Sequence, residues 1–285
     1  VDELATGAGT LRYYSDPGPE QPPEHRDLVL LHSINAAPSA MEIKPLFEHY
    51  RHRQRVLAPD LPGFGLSERR DIDYSPELYA DTLLEWLEQV APDPVHVVAL
   101  STTAEFAARA ALAAPARFAS LTLVSPTGLG ERQPPTTRTQ KRIKKFFHLP
   151  GINGGLYRLL TSRVSIRYFL AMAFHGETPD ELVDYAVATT RQPGAQHAPY
   201  CFLSTSLFTH HAREALYARL TTPTLVLYDQ DPNVGFDCLP ALLKENPVIR
   251  AERIAPTLGL PHWEQPGQTH AALERFWDAV DTGTG

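Results

Sequence analysis

Cysteine is scarce in this chain: Cys201 and Cys238 are the only two among 285 residues. They offer neither a disulfide framework nor a metal-ligand spacing and read as two free thiols. Long apolar runs are also missing, and none approaches the ~18 residues that a membrane-spanning helix needs. The uncharged stretch 192–212 is filled with Gln, His, Pro, Ser and Thr instead. Positive charge is in deficit, with 26 Lys and Arg against 33 Asp and Glu for a net −7. That balance argues against a dedicated nucleic-acid binder. No basic-then-apolar leader opens the chain at Val1, so a cytoplasmic location is expected, with loss of an upstream segment left open.

What is present is ordinary for a globular protein. Hydrophobic residues make up 43% and charged residues 21%, which excludes disorder, collagen and coiled coil as the whole-chain answer. At ~150 residues per domain the length allows two domains or one large α/β domain. The one low-complexity patch, Pro17–Pro23, reads as a surface turn. Charge is spread unevenly. Residues 127–220 carry 12 Lys/Arg and 6 Asp/Glu, a balance of +6 that leaves −13 for the remainder. A basic segment inside an acidic chain points to a separate module.

Short apolar runs alternate with helical patterns. LVLL at Leu28–Leu31, the run at Arg55–Ala58, VHVVA at Val95–Ala99, Leu121–Val124, TLVLY at Thr224–Tyr228 and Val248–Ile254 read as strands. Ile43, Leu46, Phe47 and Tyr50 make a helical stripe at i, i+3, i+4 and i+7, as do Leu273, Phe276, Trp277 and Val280. Ser75-Pro76-Glu77 is a helix start, with serine as cap and proline at the first helical position. Strands alternating with helices imply an α/β fold, a mostly parallel sheet with helices on both faces. Between Thr127 and Leu220 the alternation breaks into a helical, irregular pattern. The expected organisation is therefore a core of residues 1–126 and 221–285 with an inserted helical cap, 127–220. Such a cap would stand over the sheet's carboxyl edge, where ligands bind in these sheets.

The junction VHVVALSTTAEF runs from a buried strand into a helix with Ser101 at the turn. A serine nucleophile on such an elbow needs small residues two before and two after it. Those positions hold Ala99, a mild departure, and Thr103, a larger one. Serine is also a common helix cap, so partners must decide. A hydroxyl needs a base to take its proton, and in this architecture the order is Ser, acid, His. Asp231 follows the strand TLVLY and is preferred to Asp229 as the acid. His262, in GLPHWEQP, lies on a loop returning to the sheet edge and is the expected base. His96 inside a strand reads as a core residue, and His210-His211 as solvated surface. An oxyanion hole requires preorganised N–H donors. Thr102, at the helix start, and Ile34, in the loop LHSINAAPS, are the expected donors.

Together these residues resemble the α/β-hydrolase superfamily over nearly the whole chain. LHSIN is similar to the family's oxyanion loop, with Ser33 in place of Gly. DLPGFGLS, with Asp60, Gly63, Gly65 and Ser67, resembles the turn after the next strand. ALSTT resembles the elbow, LYDQDPNV a shortened acid loop, and PHWEQP a histidine loop shortened between His262 and Glu264. The resemblance implies a serine hydrolase with no cofactor and no metal. A serine at 101 disfavours the dehalogenase and epoxide-hydrolase branches, which carry Asp there. It leaves a carboxylic-ester hydrolase first, with a C–C bond hydrolase and a catalytically quiet ligand-binding member as alternatives.

The segment 127–220 also holds 11 Phe or Tyr. Phe146, Phe147, Phe169 and Phe174 are the candidates for lining an apolar substrate pocket. Lys141, Arg142, Lys144 and Lys145 precede the Phe146-Phe147 pair. A solvated helix face is the favoured reading, and docking of an anionic substrate or of a membrane surface stays open. The expected partner is a small apolar ester, with an anionic one as an option, and not nucleic acid.

Overall fold

Strands that are apolar at every position must be covered on both faces, and that requirement organises the molecule. The computed structural model describes residues 1–19, 26–147, 149 and 153–283. It contains an eight-stranded sheet. The strands are β1 (Asp2–Thr6), β2 (Gly9–Asp16), β3 (Leu28–Leu31), β4 (Val56–Pro59), β5 (Val95–Leu100), β6 (Phe118–Val124), β7 (Thr224–Tyr228) and β8 (Ile249–Arg253). Their spatial order is β1-β2-β4-β3-β5-β6-β7-β8. The strands β3 to β8 pair in parallel, while β1 and β2 are antiparallel to their neighbours.

Every parallel strand from β3 to β7 lies where the apolar runs predict it, within a few residues. The hairpin β1–β2 has no counterpart in the sequence reading. It sits at the sheet edge with much of β1 exposed, so it carries no apolar run to betray it. The proline-rich stretch after it leaves the described residues at position 20.

Helices α1 (Lys44–Tyr50), α2 (Pro76–Val90) and α3 (Thr103–Ala113) connect the first parallel strands. Between β6 and β7 come α4 (Thr137–Phe147), α5 (Asn153–Leu160), α6 (Arg163–Ala171), α7 (Asp180–Thr189), α8 (His197–Leu203) and α9 (Ala212–Ala215). Then follow α10 (Leu239–Glu245), α11 (Pro261–Glu264) and α12 (Pro266–Asp281). Alternate strand residues feed two cores. Val29, Leu31, Val97, Ala99, Leu121 and Val226 pack with Leu83, Trp86 and Phe106 of α2 and α3. Leu28, Leu30, Val98, Leu100, Val124 and Leu227 pack with Leu46 of α1 and Leu273, Phe276 and Trp277 of α12. Ser75 caps α2 as its position predicts, accepting from the Leu78 N–H at 3.2 Å. His96 is a core residue, 2.8 Å from Ser120 Oγ and stacked on Trp277.

The helical insertion is seated on the core loops at the carboxyl edge. Tyr185 of α7 shares a 2.6 Å hydrogen bond with Tyr14 of β2. The Tyr157 hydroxyl donates to the Ala36 carbonyl at 3.3 Å. The His175 N–H donates to Glu264 at 2.8 Å. Ile166, Val183 and Ala186 form a small cluster against Ala37.

Thr103, the bulkier residue at the elbow, has a compensating bond. Its hydroxyl donates to the His32 carbonyl at 2.7 Å, where both groups are buried. The start of α3 is thereby tied to the end of β3. Thr103→Val keeps the shape and orphans that carbonyl, which costs about 1–3 kcal/mol. The expected outcome is a lower urea midpoint with an unchanged m-value; an unchanged midpoint would show that the bond contributes nothing.

Candidate active site

Ser101 occupies the sharp turn between β5 and α3, with φ at +52°. A residue with a side chain pays for that conformation. The surroundings hold it: the Ser101 N–H donates to the Val124 carbonyl at 2.9 Å, and its carbonyl accepts from Ala104 at 3.1 Å. The elbow expected at ALSTT is thus present as backbone geometry.

The two expected oxyanion donors are both buried. Thr102 and Ile34 are only 1% and 2% exposed. Among the described residues, neither backbone N–H has a protein acceptor. A buried, unpaired N–H is costly, and such a free donor is suited to a developing or resident negative oxygen. The Ile34 loop is braced by Glu42, which the sequence reading passed over. The Glu42 carboxylate accepts from the Ser33 N–H at 2.9 Å and from Asn35 Nδ2 at 2.7 Å. His32 Nε2 accepts from the Leu61 N–H at 2.9 Å, so its Nδ1 donates to the Ser33 carbonyl at 2.6 Å. Asp60 accepts from the Ala40 and Leu66 N–H groups at 2.7 and 2.8 Å.

The two aspartates differ in their partners. Asp229 is engaged structurally. Burial works against its charge, but the Thr257 N–H at 2.8 Å and Arg253 at 2.6 Å outweigh it and hold the carboxyl below its usual range. Asp231 faces the elbow's neighbour strand. It accepts from Ser125 Oγ at 2.9 Å and from the Asn233 and Val234 N–H groups at 2.7 and 3.1 Å. Burial pushes its carboxyl up, with those three donors only partly offsetting the rise. Ser125 itself has φ at +46°.

His262 is not where a base must be. It is 0% exposed, and its Nε2 donates to the Glu42 carbonyl at 2.8 Å. Its Nδ1 has no partner. No hydrogen bond joins it to Ser101 or to Asp231. Burial lowers its pKa from 6.5 to about 4, the Glu42 bond offsetting this only in part. The loop residue that meets the acid is Gly259. A Cβ built on Gly259 would lie 2.6 Å from Asp231 Oδ2 and 3.8 Å from Ser125 Oγ. A base bridging nucleophile and acid must hydrogen-bond the acid, and this position has no side chain. The apparent shortening between His262 and Glu264 has the same origin. The residue opposite the acid is a glycine, three positions before His262. The signal that could have found it was the uneven loop length itself.

The four aromatic candidates scatter. Phe146 and Phe169 are 49% and 51% exposed. Phe147 stacks on Tyr200 at 4.9 Å inside the insertion, because a planar face there offers more contact than solvent does. Phe174 packs edge-on to Trp263 at 6.3 Å, at the seam with the 257–264 loop. A narrow recess of about 10 Å³ between the Ile34 loop and the insertion is lined by Ala36, Pro38, Phe64, Arg69, Tyr157 and Thr190, and Ser101 is not among its walls. Among the described residues no group of three or more His, Cys, Asp or Glu is arranged to hold a metal ion. No described helix is long and apolar enough to cross a membrane.

The buried His262 has a consequence for stability. Its folded pKa lies below its unfolded one, so the unfolded chain binds the proton more readily. The stability that a neutral His262 contributes is present above pH 6.5 and is lost as pH falls toward 4. The full loss is roughly 3 kcal/mol. In His262→Asn the fall in urea midpoint across this window becomes shallower. An identical slope in the variant would mean that other groups carry the acid sensitivity.

A family model described as the alpha/beta hydrolase family matches residues 28–275. The fold is similar to that of a serine hydrolase involved in carbazole degradation, with a TM-score of 0.78, 15% identity and coverage of 97% of this chain and 98% of that one. A meta-cleavage product hydrolase from Pseudomonas fluorescens gives 0.75, 17% identity and 98% of both chains. A thermophilic esterase from Thermogutta terrifontis gives 0.74, 18% identity and 98% of both. No curated protein sequence matches. With the family model spanning most of its length, and the sheet order, elbow and loops as described, the chain belongs to the alpha/beta hydrolase family.

Proposed function

We propose that this hydrolase-family chain binds a small carbonyl compound at the Ser101 elbow and is catalytically quiet toward it. The observation that carries this reading is Gly259 standing against Asp231, with His262 held by the Glu42 carbonyl instead. Without a base the Ser101 hydroxyl stays protonated and is a weak nucleophile. The free N–H groups of Ile34 and Thr102 still suit a carbonyl or carboxylate oxygen. The insertion, acting as a cap, covers the rest of the ligand. Arg69 favours an anionic ligand, since its guanidinium is bonded to Gly65, Ser67, Thr189 and Gln192 and to no carboxylate.

A second reading, acyl hydrolysis through Ser101, is favoured by one feature: the strained elbow is kept at φ +52°. It requires a base from the substrate or from solvent. Ester hydrolysis and C–C cleavage would both fall under it.

Two measurements separate the readings. On panels of esters, thioesters and vinylogous diketones, wild type and Ser101→Ala should agree within about threefold, since a site without its full triad keeps only oxyanion-hole and binding assistance. Fluorophosphonate should leave Ser101 unlabelled. A wild type faster than Ser101→Ala by ~100-fold or more would make the chain an enzyme and sink the quiet reading. In parallel, a library of small carboxylates and ketones should raise the thermal midpoint of wild type, and Ser101→Leu, which crowds the elbow, should abolish the shift. A shift that persists in Ser101→Leu would place the ligand elsewhere.

A further inference from the structure

Solvent-exposed apolar side chains are concentrated in one stretch of the insertion. Of the large hydrophobic residues exposed on the described surface, Phe146, Leu149, Leu159, Val164, Tyr168 and Phe169 all fall there, and only Val1 and Leu66 lie outside it. The same stretch is exclusively basic. Residues 132–176 contain nine Lys or Arg and no Asp or Glu, in a chain whose net charge is −7.

Helix periodicity shows that these residues face outward. On α6, Ile166 and Leu170 point inward, packed with Val183 and Ala186 of α7 and with Ala37. At 100° per residue, Val164 and Tyr168 lie on the opposite side of the helix. They are 82% and 65% exposed. Leu159, 69% exposed, stands just across the α5–α6 turn, where the Ser162 N–H donates to its carbonyl at 3.2 Å. Arg163 and Arg167 lie to one side of this stripe, toward α7, and are paired with Asp184 and Asp180. On α4, Gln140 and Phe147 face inward, toward Thr205 and Tyr200. The outward side then carries Arg138, Lys141, Arg142 and Lys145, with Phe146 at its edge. None of these four cations has an ionic partner among the described residues, and neither does Arg158.

We propose that this face of the insertion docks on an anionic phospholipid surface. The unpaired cations of α4 and the exposed Leu, Val, Tyr and Phe of the same insertion match a layer with negative headgroups above an apolar interior. Each Lys or Arg near such a surface contributes about 1 kcal/mol in magnitude, or roughly fivefold in binding. A second copy of the chain is a poorer occupant, because a symmetric contact would press one basic face on another. A nucleic acid would meet the cations but leave the aliphatic side chains Leu159 and Val164 unused. The inference does not depend on whether Ser101 turns over a substrate.

The test is co-sedimentation of the full chain with vesicles, read against sucrose-loaded controls. Vesicles of equimolar phosphatidylcholine and phosphatidylserine should bind at least ~10-fold better than pure phosphatidylcholine, with the difference shrinking as salt rises. Val164→Ser with Tyr168→Ser should weaken binding by about 10-fold or more at unchanged thermal midpoint, since both side chains are already in water. Lys141→Glu with Arg142→Glu and Lys145→Glu should abolish the phosphatidylserine preference. Equal binding to both vesicles, no binding to either, or full binding by the serine variant would overturn the proposal. So would a dimer in gel filtration that the serine variant dissolves, or tighter binding to an oligonucleotide than to vesicles.

Discussion

Glu42 ties the two loops that define the site. Its carboxylate braces the Ile34 loop through Ser33 and Asn35. Its carbonyl receives both His262 Nε2 at 2.8 Å and Trp263 Nε1 at 2.6 Å from the opposite loop. A single residue buried to 4% exposure therefore sets how the 257–264 loop approaches the sheet. With His262 and Trp263 anchored on Glu42, the residue left to pass the acid is Gly259. The chemistry available at Ser101 follows from that register more than from the presence of a histidine in the loop.

The carboxyl edge of the parallel sheet supplies the remaining geometry. Ser101, Ser125 and Asp231 follow the ends of the adjacent strands β5, β6 and β7, and Ser125 is bonded to the acid. Asp231 is fully engaged by Ser125 and two backbone N–H groups. These donors stabilise an unpaired carboxylate that burial disfavours, and they do so without a histidine. On the proposed reading, the site offers N–H groups to an oxygen and has no side chain beside Asp231 to move a proton.

The insertion has two kinds of surface because it has two neighbours. Its inner side is fastened to the core by Tyr185, Tyr157 and His175, each bonded to a loop or strand at the sheet edge. Its outer side carries unpaired cations on α4 and exposed apolar residues on α5 and α6. The basic stretch Lys141–Lys145 is legible in the sequence. That Phe146 and Phe169 are half-exposed follows from which helix faces are packed.

The parallel strands, the helices between them and the helical insertion were legible because their signals are local: apolar runs, 3.6-residue stripes and a capping serine at Ser75. The elbow was legible for the same reason, since a strand running directly into a helix at Ser101 leaves one conformation open to it. The hairpin β1–β2 was not, because an exposed edge pair has no apolar run. Whether Thr103 could stand at the elbow depended on a carbonyl 71 residues away. Residue order by itself determined that a serine, an aspartate and a histidine reach the same edge of the sheet. Only the tertiary structure decided which atoms meet there, because the Glu42 carbonyl, 220 residues from His262 in the chain, competes for the imidazole and leaves glycine beside the acid.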